Sequence, residues 1–516
     1  MSLMPSDMHI LPDAPITTCL IVLSIYRYIF HPLRKFPGPF INAISGLPAT
    51  IGLLSGRQHA YMKHLHDKYG PVVRVSPNEL SFISASAWDD IYGLRSTDEP
   101  LEKDPIWVSA MRSYQGALPI TSVPREIHQR QRRALAHPFS NTSCLQQEPL
   151  IQSQIAKLIT RLTELSESST PANMTDWYLF TTLDVIGDLC FGSPFGCLDT
   201  GRGTSWSIGL MNAVRCATYE QASRRIAGVD TWLQRQLAKL IPSAYQAGKI
   251  THFLDSRSKT LERLNNPQNT HRDFIYYILR NNNNQDADKQ KQKQKHNLSE
   301  AEIILNSAAL IAAGSGTTAA ALVAATYLLL RHRDVHDRLT SIIRQTCPTR
   351  DDITHAKVKD IPLLDAVINE ALRLYVPVLG GLLRQTKASV THIDGHQVPG
   401  GTTVSVHAWS ATRSERNWER PPYEFLPERW MDTERFSRDQ RAASQPFSLG
   451  PRGCIGRNSS LIETRLVLCH VLWGFELELE EQELWRWEVG GDLRWLRGFF
   501  VLEKPGLGVR LTKRVS

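Results

Sequence analysis

The chain has 516 residues, and its 59 lysines and arginines exceed its 51 aspartates and glutamates to give a formal net charge of +8. Hydrophobic residues make up 42% and charged residues 21%, which excludes collagen-like, coiled-coil and wholly disordered chains. The eight cysteines form no C-x-x-C pair, which disfavours a disulfide framework or zinc module and is typical of a reducing compartment. No dense basic stretch is interleaved with aromatic residues, so nucleic acid is not an expected partner.

Residues 1–31 contain an apolar segment that is uncharged from Ala14 to Tyr26. A full membrane span needs about 20 apolar residues, so three interpretations stay open: a short anchor, a cleaved signal peptide, or a helix lying on the membrane surface. The absence of a basic start disfavours the signal peptide. Positive charges after the segment favour an N-terminal anchor with a cytosolic body, residues 40–516. The proline-rich stretch 32–39 is predicted to be the hinge between them.

The body is rich in helical patterns with small, scattered strand pairs. Val72 to Ile83 predicts a hairpin, and residues 125–280 are mainly helical in pattern. Residues 281–296 are polar and of low complexity, which predicts a solvated surface loop. His392 to Thr402 predicts a turn between short strands, and a final helix is expected over Ser459 to Trp473. The order of these helices and strands along the chain predicts a mainly α fold with small β sheets.

Ile303 to Leu330 carries no charged residue and is long enough to cross a membrane. Its middle, Gly314 to Thr318, is polar and weakens a helix. Ser299 and Glu302 have the spacing of a capping box. We therefore predict a long buried helix of a large soluble core, with a transmembrane helix as the alternative.

A lone cysteine stands in the sequence F-S-L-G-P-R-G-C-I-G, residues 447–456. Glycines allow close backbone approach to a flat ligand. Cys454 follows Arg452 and precedes a helix, two features that lower a thiol pKa. A thiolate is the axial ligand that favours O–O cleavage at haem iron. The alternative is an inert, buried cysteine in a glycine-rich turn.

The pattern F-x-x-G-x-R-x-C-x-G resembles the haem-binding signature of the cytochrome P450 family, and every fixed position matches. Within the family, the sequence most resembles fungal membrane-anchored members. The resemblance implies the P450 fold and haem (iron protoporphyrin IX). It implies that Cys454 is the axial ligand of the iron and that Phe447, Arg452 and Gly456 help to bind the cofactor. No G-x-G-x-x-G fingerprint lies between a strand and a helix, so electrons from NADPH are expected through a separate cytochrome P450 reductase.

Further segments resemble other motifs of the family. His128-x-x-x-Arg132 resembles its W-x-x-x-R helix with histidine in place of tryptophan. The resemblance implies that Arg132, Arg384 and Arg452 pair with the two haem propionates, and His128 has a hydrogen-bond donor to offer as indole would. Arginine suits carboxylates because its donors form a planar fork.

Glu370-Ala-Leu-Arg373 places a carboxylate and a guanidinium on one helix face. By itself this pair is usually a weak surface interaction. Phe425-Leu-Pro-Glu-Arg429-Trp430 follows and resembles the P-E-R-F segment of the family. Together they imply a buried structural network of Glu370, Arg373 and Arg429.

Ala313 to Thr318 resembles the oxygen-activation groove of the family's long helix, with Gly314 opening space and Thr317 assisting proton delivery. The residue before that threonine is usually acidic, but here it is Gly316. Protons are therefore expected to travel through water, Ser315 or substrate hydroxyls. Close helix packing is the alternative role of the glycines.

The resemblance implies a monooxygenase that hydroxylates or epoxidises a hydrophobic small molecule, in fungal secondary metabolism, at the endoplasmic reticulum membrane with the catalytic domain in the cytosol. Its pocket is expected between residues 100–123, Ala309 to Thr317, and Val378-Leu379. The alternatives are a haem-thiolate isomerase, dehydratase or peroxide-driven oxidase, and a non-enzymatic haem or lipid binder. A basic surface for an acidic reductase is predicted on the helix that carries Arg125, Arg130 and Arg133, with a merely solvated basic helix as the alternative.

Overall fold

The computed structural model describes residues 14–94, 100–107, 113–266, 271–283, 297–387, 389–480, 487, 496–503 and 505–514. The predicted surface loop 281–296 lies almost wholly outside these residues. The helices are α1 Ala14–Ile25, α2 Phe40–Ile44, α3 Leu47–Leu54, α4 Gln58–Tyr69, α5 Ala85–Tyr92, α6 Arg125–Ala136, α7 Asn141–Glu167, α8 Met174–Phe191, α9 Cys197–Thr200, α10 Ser205–Ala227, α11 Trp232–Lys239, α12 Ser243–Leu264, α13 Phe274–Asn283, α14 Glu300–Arg331, α15 Arg333–Thr346, α16 His355–Val358, α17 Pro362–Leu374, α18 Ala408–Ala411 and α19 Arg457–Gly474.

Short strands form small sheets beside these helices. They are β1 Val72–Ser76, β2 Glu79–Phe82, β3 Glu102–Lys103, β4 Ala172–Asn173, β5 Arg384–Gln385, β6 Thr391–Ile393, β7 His396–Val398, β8 Thr403–Val406, β9 Phe475–Leu479, β10 Arg497–Phe499, β11 Val501–Glu503 and β12 Gly508–Lys513. One sheet has the order β1-β2-β8-β5-β3, and another has the order β4-β12-β9. The predicted hairpin is confirmed as β1 and β2, and the predicted turn is confirmed between β6 and β7. The mainly α fold with small sheets is therefore confirmed.

Helix α14 is the centre of the fold. Ser299 and Glu302 form the predicted capping box at its start. From Ala319 to Leu330 every residue is buried, because α8, α17 and α19 pack around it. The prediction of a buried core helix is confirmed, although α14 is by length and composition apolar enough to cross a membrane.

Arg130 contributes to the same helix start. Its guanidinium forms an ion pair with Glu302 and donates a hydrogen bond to the carbonyl of Asn297 at 2.9 Å. Arg130 thereby ties α6 to the beginning of α14. The ion pair with Glu302 occupies the guanidinium of Arg130, and the predicted place of Arg130 in a docking surface for a reductase stays a prediction.

The predicted hinge 32–39 is packed against the body. Gly38 lies so close to β1 that an added Cβ would be 2.5 Å from the carbonyl oxygen of Arg74. The Arg74 amide donates to Pro37 at 2.7 Å, and its guanidinium donates to the carbonyl of Arg27 at 3.1 Å. Arg27 in turn donates to the carbonyl of Ile44 at 2.7 Å. These contacts connect the end of the apolar segment and residues 37–38 to the body, and we call them the N-terminal clamp.

Candidate active site

The cysteine loop, residues 447–456, leads directly into α19. The amide of Cys454 donates to the carbonyl of Phe447 at 2.8 Å, which closes the loop. Gly450 has a φ of 68°, and a Cβ there would lie 2.0 Å from the carbonyl oxygen of Tyr92, so only glycine fits. Cys454, Phe447 and Gly456 all line one large cavity, and the Cys454 side chain is exposed toward it.

The cysteine thiol differs from the sequence-based expectation in its pKa. Burial by the surrounding protein raises the pKa of Cys454, although the amides of Gly456 and Arg457 and the charge of Arg132 act in the opposite direction. The prediction of a lowered pKa is therefore wrong for the protein alone, because desolvation outweighs the helix start and the arginines. A bound cation at the sulfur would favour the thiolate.

The cavity has a volume of about 340 Å³ and lies between the cysteine loop and α14. Its wall is mostly apolar, as predicted, and includes Ala309, Thr317 and Val378. Leu379 does not contribute to it, which corrects the prediction. Leu379 packs instead on β10, where a Cβ added to Gly498 would lie 2.1 Å from its Cδ1.

Helix α14 brings Gly314 and Thr317 to the cavity. Thr317 donates its hydroxyl to the carbonyl of Ala313 at 2.7 Å. A Cβ on Gly314 would lie 2.9 Å from the Cδ1 of Ile186, so this glycine also permits close packing on α8. A Cβ on Gly316 would meet no atom within 4 Å.

Ser315 is placed differently from its helical neighbours. Its side chain is buried outside the described cavity wall and donates to the carbonyl of Ile311 at 2.9 Å. The structure therefore places Ser315 outside the described cavity wall, and its part in proton transfer stays a prediction. Helical periodicity explains the difference, since adjacent residues face directions about 100° apart.

Basic residues from separate elements meet near the cysteine loop. Arg132 donates to the carbonyl of Gly453 at 2.6 Å, and Arg452 donates to the carbonyl of Val123 at 3.0 Å. His128 and Arg384 are buried beside them. Burial and then Arg452 lower the pKa of His128 to about 3, so its imidazole is neutral.

Sequence analysis missed Lys103, which also belongs to this basic cluster. It lies opposite Arg384 in the β3–β5 pair and donates to the carbonyl of Thr121 at 2.5 Å. Burial, together with Arg384 and Arg452, lowers the pKa of Lys103 well below its usual value. The contact depends on strand register, which no sequence motif signals.

This basic cluster has more positive charge than its surroundings neutralise. Within the described residues, the carboxylate paired with Arg452 is that of the half-exposed Glu102, at 3.4 Å, and the buried Nη1 of Arg452 has no hydrogen-bond partner. A ligand with two carboxylates would supply the missing charge and acceptors. The residues present therefore fit haem, with its sulfur-liganded iron and two propionates.

A buried charged network supports the site from behind. Glu370 and Arg373 are paired at 2.7 Å, and Arg429 lies 3.7 Å from the same carboxylate. The side chain of Asp439, which sequence analysis missed, pairs with Arg429 at 2.7 Å. Trp430 donates its indole N–H to Glu370 at 2.9 Å. The three residues predicted to form this network are therefore brought together, fully buried.

A thiol facing an apolar groove, a nearby threonine and a basic cluster for two carboxylates define a haem-thiolate protein. The chain belongs to the cytochrome P450 family, whose pattern matches residues 37–491. It is a cytochrome P450 monooxygenase, homologous to P450s of fungal secondary-metabolite pathways.

Similar curated proteins include cytochrome P450 monooxygenase aba2 of Botryotinia fuckeliana, 45% identical over 504 residues, which cover 96% of this chain and 93% of that one. Cytochrome P450 monooxygenase ABA2 of Pyricularia oryzae is 43% identical over 469 residues, covering 89% and 88% of the two chains. Cytochrome P450 monooxygenase astJ of Aspergillus oryzae is 36% identical over 495 residues, covering 95% and 94%.

Proposed function

We propose that this enzyme inserts one oxygen atom from O2 into a hydrophobic small molecule by hydroxylation or epoxidation. The observation that carries the proposal is that Cys454 and Thr317 both line one mostly apolar cavity. Haem bound there supplies the oxygen activation that no side chain provides.

Different residues around the cavity are proposed to hold different parts of the cofactor. Cys454 is proposed as the axial ligand of the iron, while Phe447 and Gly456 line the space beside it. For the propionates, we assign Arg132, Arg384 and Arg452, together with the neutral His128 and with Lys103. Thr317 is assigned to hold a proton at its hydroxyl near the oxygen-binding side of the cavity.

The indole of Trp107 is one of the polar groups of the cavity wall. The indole N–H of Trp107 is buried and has no acceptor within the described part of the chain. Phe500 packs on the indole with ring centroids 4.7 Å apart, and the Lys103 ammonium lies 4.7 Å from its ring centroid. A bound molecule with an acceptor oxygen would satisfy this donor. We therefore propose an apolar substrate that carries a carbonyl, ether or hydroxyl oxygen.

The test uses purified holoenzyme, a P450 reductase, NADPH and a panel of apolar metabolites. We expect oxygenated compounds to change the spin state of the iron and to gain one atom of oxygen-18 from labelled O2. In Trp107→Phe, their Kd should rise about tenfold, which corresponds to one lost hydrogen bond of about 1.4 kcal/mol. A hydrocarbon of the same shape should bind both proteins equally. Equal loss for both ligands would contradict the role of the indole N–H.

Gly316 favours a second candidate, because the acid expected before Thr317 is missing from α14. A haem-thiolate isomerase, dehydratase or peroxide-driven oxidase needs no proton delivery to O2. Product formed without NADPH and O2 consumption would support this candidate and overturn the monooxygenase proposal.

We propose that the catalytic body is held at the endoplasmic reticulum membrane and faces the cytosol, where a separate NADPH–cytochrome P450 reductase donates electrons. Helix α1 exposes Leu20, Ile21 and Val22, each more than half accessible. Beyond the N-terminal clamp, Phe40 and Ile51 are also more than half exposed. Apolar surface of this kind is favourable in lipid and costly in water.

The anchoring proposal predicts a graded release from membranes. A variant lacking residues 1–30 should move partly into the soluble fraction of cell lysates. Combining that deletion with Phe40→Ser and Ile51→Ser should release most of the protein, because burying each side chain contributes about 1.5–3 kcal/mol. Sedimentation with and without carbonate washing measures the distribution. Unchanged sedimentation of the combined variant would contradict the proposal.

A further inference from the structure

His252 is a buried histidine of α12 that the site described above leaves without a role. It has no exposed surface, and each nitrogen of its ring has one partner. The indole N–H of Trp206, in α10, donates to its Nδ1 at 2.7 Å. Its Nε2 lies 3.1 Å from the carbonyl oxygen of Ala308, in α14. One imidazole therefore connects α10, α12 and α14.

The chemistry of the partners gives the direction of both hydrogen bonds. An indole N–H can only donate, so Nδ1 of His252 is the acceptor. A neutral imidazole carries its one proton on the other nitrogen, and Nε2 therefore donates to the carbonyl of Ala308. Burial lowers the pKa of His252 to about 4, so this neutral form is present near pH 7. The hydrogen bonds thus run from Trp206 through His252 to α14.

The acceptor at Ala308 lies beside the part of α14 that lines the cavity. The next two residues, Ala309 and Leu310, belong to the cavity wall, and so does Ala312. Within a helix, the carbonyl of residue 308 also accepts from the amide of residue 312, and its oxygen has two lone pairs for the two bonds. His252 therefore holds this turn of α14 from outside the cavity and leaves the helix intact.

Trp206 forms the other end of the connection. Its indole packs against Phe195 with ring centroids 4.3 Å apart, and 8% of the residue is exposed. About two and three turns further along α10, Val214 and Ala217 line the cavity. The connection therefore joins the wall that α10 contributes to the wall that α14 contributes.

The two hydrogen bonds do what apolar packing alone does not. Helix α12 packs against both α10 and α14, but apolar contacts have no preferred direction. Hydrogen bonds require a narrow range of distance and angle. A buried donor that loses its acceptor carries its full desolvation cost, so the indole of Trp206 and the imidazole of His252 stay paired. The bonds therefore keep α10 and α12 at one distance from α14.

We propose that His252 is a specificity-determining positioning residue of this enzyme. Together with Trp206 and the carbonyl of Ala308, it fixes the distance from Val214 of α10 to Ala309 of α14. That distance sets the width of the cavity and the orientation in which a substrate lies beside α14. His252 is outside the described cavity wall, so it acts through these neighbours and takes no part in the chemistry.

The proposal rests on the monooxygenase function and is tested with the holoenzyme, reductase and a substrate from the panel. His252→Phe keeps a ring in place and removes both hydrogen bonds. We expect the ratio of the main oxygenated product to its positional isomers to fall about tenfold, because a displacement of about 1 Å can change a rate by about 10²-fold. Haem content and the carbon monoxide spectrum should match the wild type, since neither bond involves the cysteine loop.

A rescue variant and a matched control separate positioning from stability. His252→Gln should restore most of the wild-type product ratio, because a carboxamide has an acceptor beside a donor, as a neutral imidazole has. The control is His66→Phe in α4. His66 is also buried, burial lowers its pKa to about 4, and its nitrogens lie 2.9 Å from the carbonyl of Gly70 and 2.8 Å from the hydroxyl of Ser81. This variant should lose stability and keep the product ratio.

Three results would overturn the proposal: a wild-type product ratio in His252→Phe, an equal change in His66→Phe, or no recovery in His252→Gln. Should His252→Phe fail to fold, Trp206→Phe decides. It removes the indole N–H and keeps an aromatic ring, so an unchanged product ratio there also overturns the proposal. A wild type that forms no oxygenated product contradicts the monooxygenase function instead, so the two failures are distinguishable.

Discussion

A Cys454→Ser variant is expected to lose essentially all oxygenation activity and the red-shifted carbon monoxide band of a sulfur-liganded ferrous haem. Serine preserves the size of the side chain and the loop hydrogen bond from residue 454 to Phe447, which uses only backbone atoms. It removes the sulfur. The serine hydroxyl has a far higher pKa than a thiol, so it is a much poorer source of an anionic ligand for the iron. Carbon monoxide difference spectra and product assays measure the two losses.

The cysteine control is Cys19→Ser, which replaces an exposed thiol in α1. It should leave both the spectrum and turnover as in the wild type. Full turnover by Cys454→Ser would refute the assignment of the axial ligand. Circular dichroism measures whether the variant stays folded. A folded Cys454→Ser that loses haem would agree with the assignment, because only the basic cluster would be left to hold the cofactor.

The second large effect is expected from Glu370→Gln. The change leaves Arg373 and Arg429 buried beside a neutral amide, and neither has an exposed side-chain surface. Removing one partner of a buried ion pair typically costs about 3–5 kcal/mol, because the remaining charge stays desolvated. We expect a lower urea midpoint and poor haem retention in the purified protein.

The pair of Arg161 and Glu164 provides a matched control with the same i, i+3 spacing on an exposed helix face. Its nitrogen and oxygen are 2.9 Å apart, but more than a third of each side chain is accessible. Glu164→Gln should therefore cost less than about 1 kcal/mol. A loss from Glu370→Gln as small as that from Glu164→Gln would contradict the structural role of the buried network.

Local sequence patterns predicted the elements that depend on local physics. The capping box at Ser299 and Glu302 and the hairpin β1–β2 follow from spacings within a few residues, and the structure confirms both. The burial of α14 could be predicted only from its apolar length and its polar middle together, since hydropathy alone also fits a membrane helix.

The errors concern properties set by distant parts of the chain. Leu379 and Ser315 lie next to cavity residues in sequence, but Leu379 packs on Gly498 of β10 and the Ser315 side chain lies on another side of its helix. The pKa of Cys454 depends on burial, which a motif cannot report. Lys103 was missed because its strand partner, Arg384, lies far away along the sequence.

The N-terminal clamp has a geometric consequence for the enzyme at a lipid bilayer. Because Arg74 and Arg27 link the end of the apolar segment to β1 and α2, the tilt of α1 is transmitted to the whole body. A connection of this kind behaves as a rigid link and not as a flexible linker. Under the anchoring proposed above, the angle of this connection in the lipid sets the depth and direction of the cavity, and with them the route of a lipid-dissolved molecule toward Cys454.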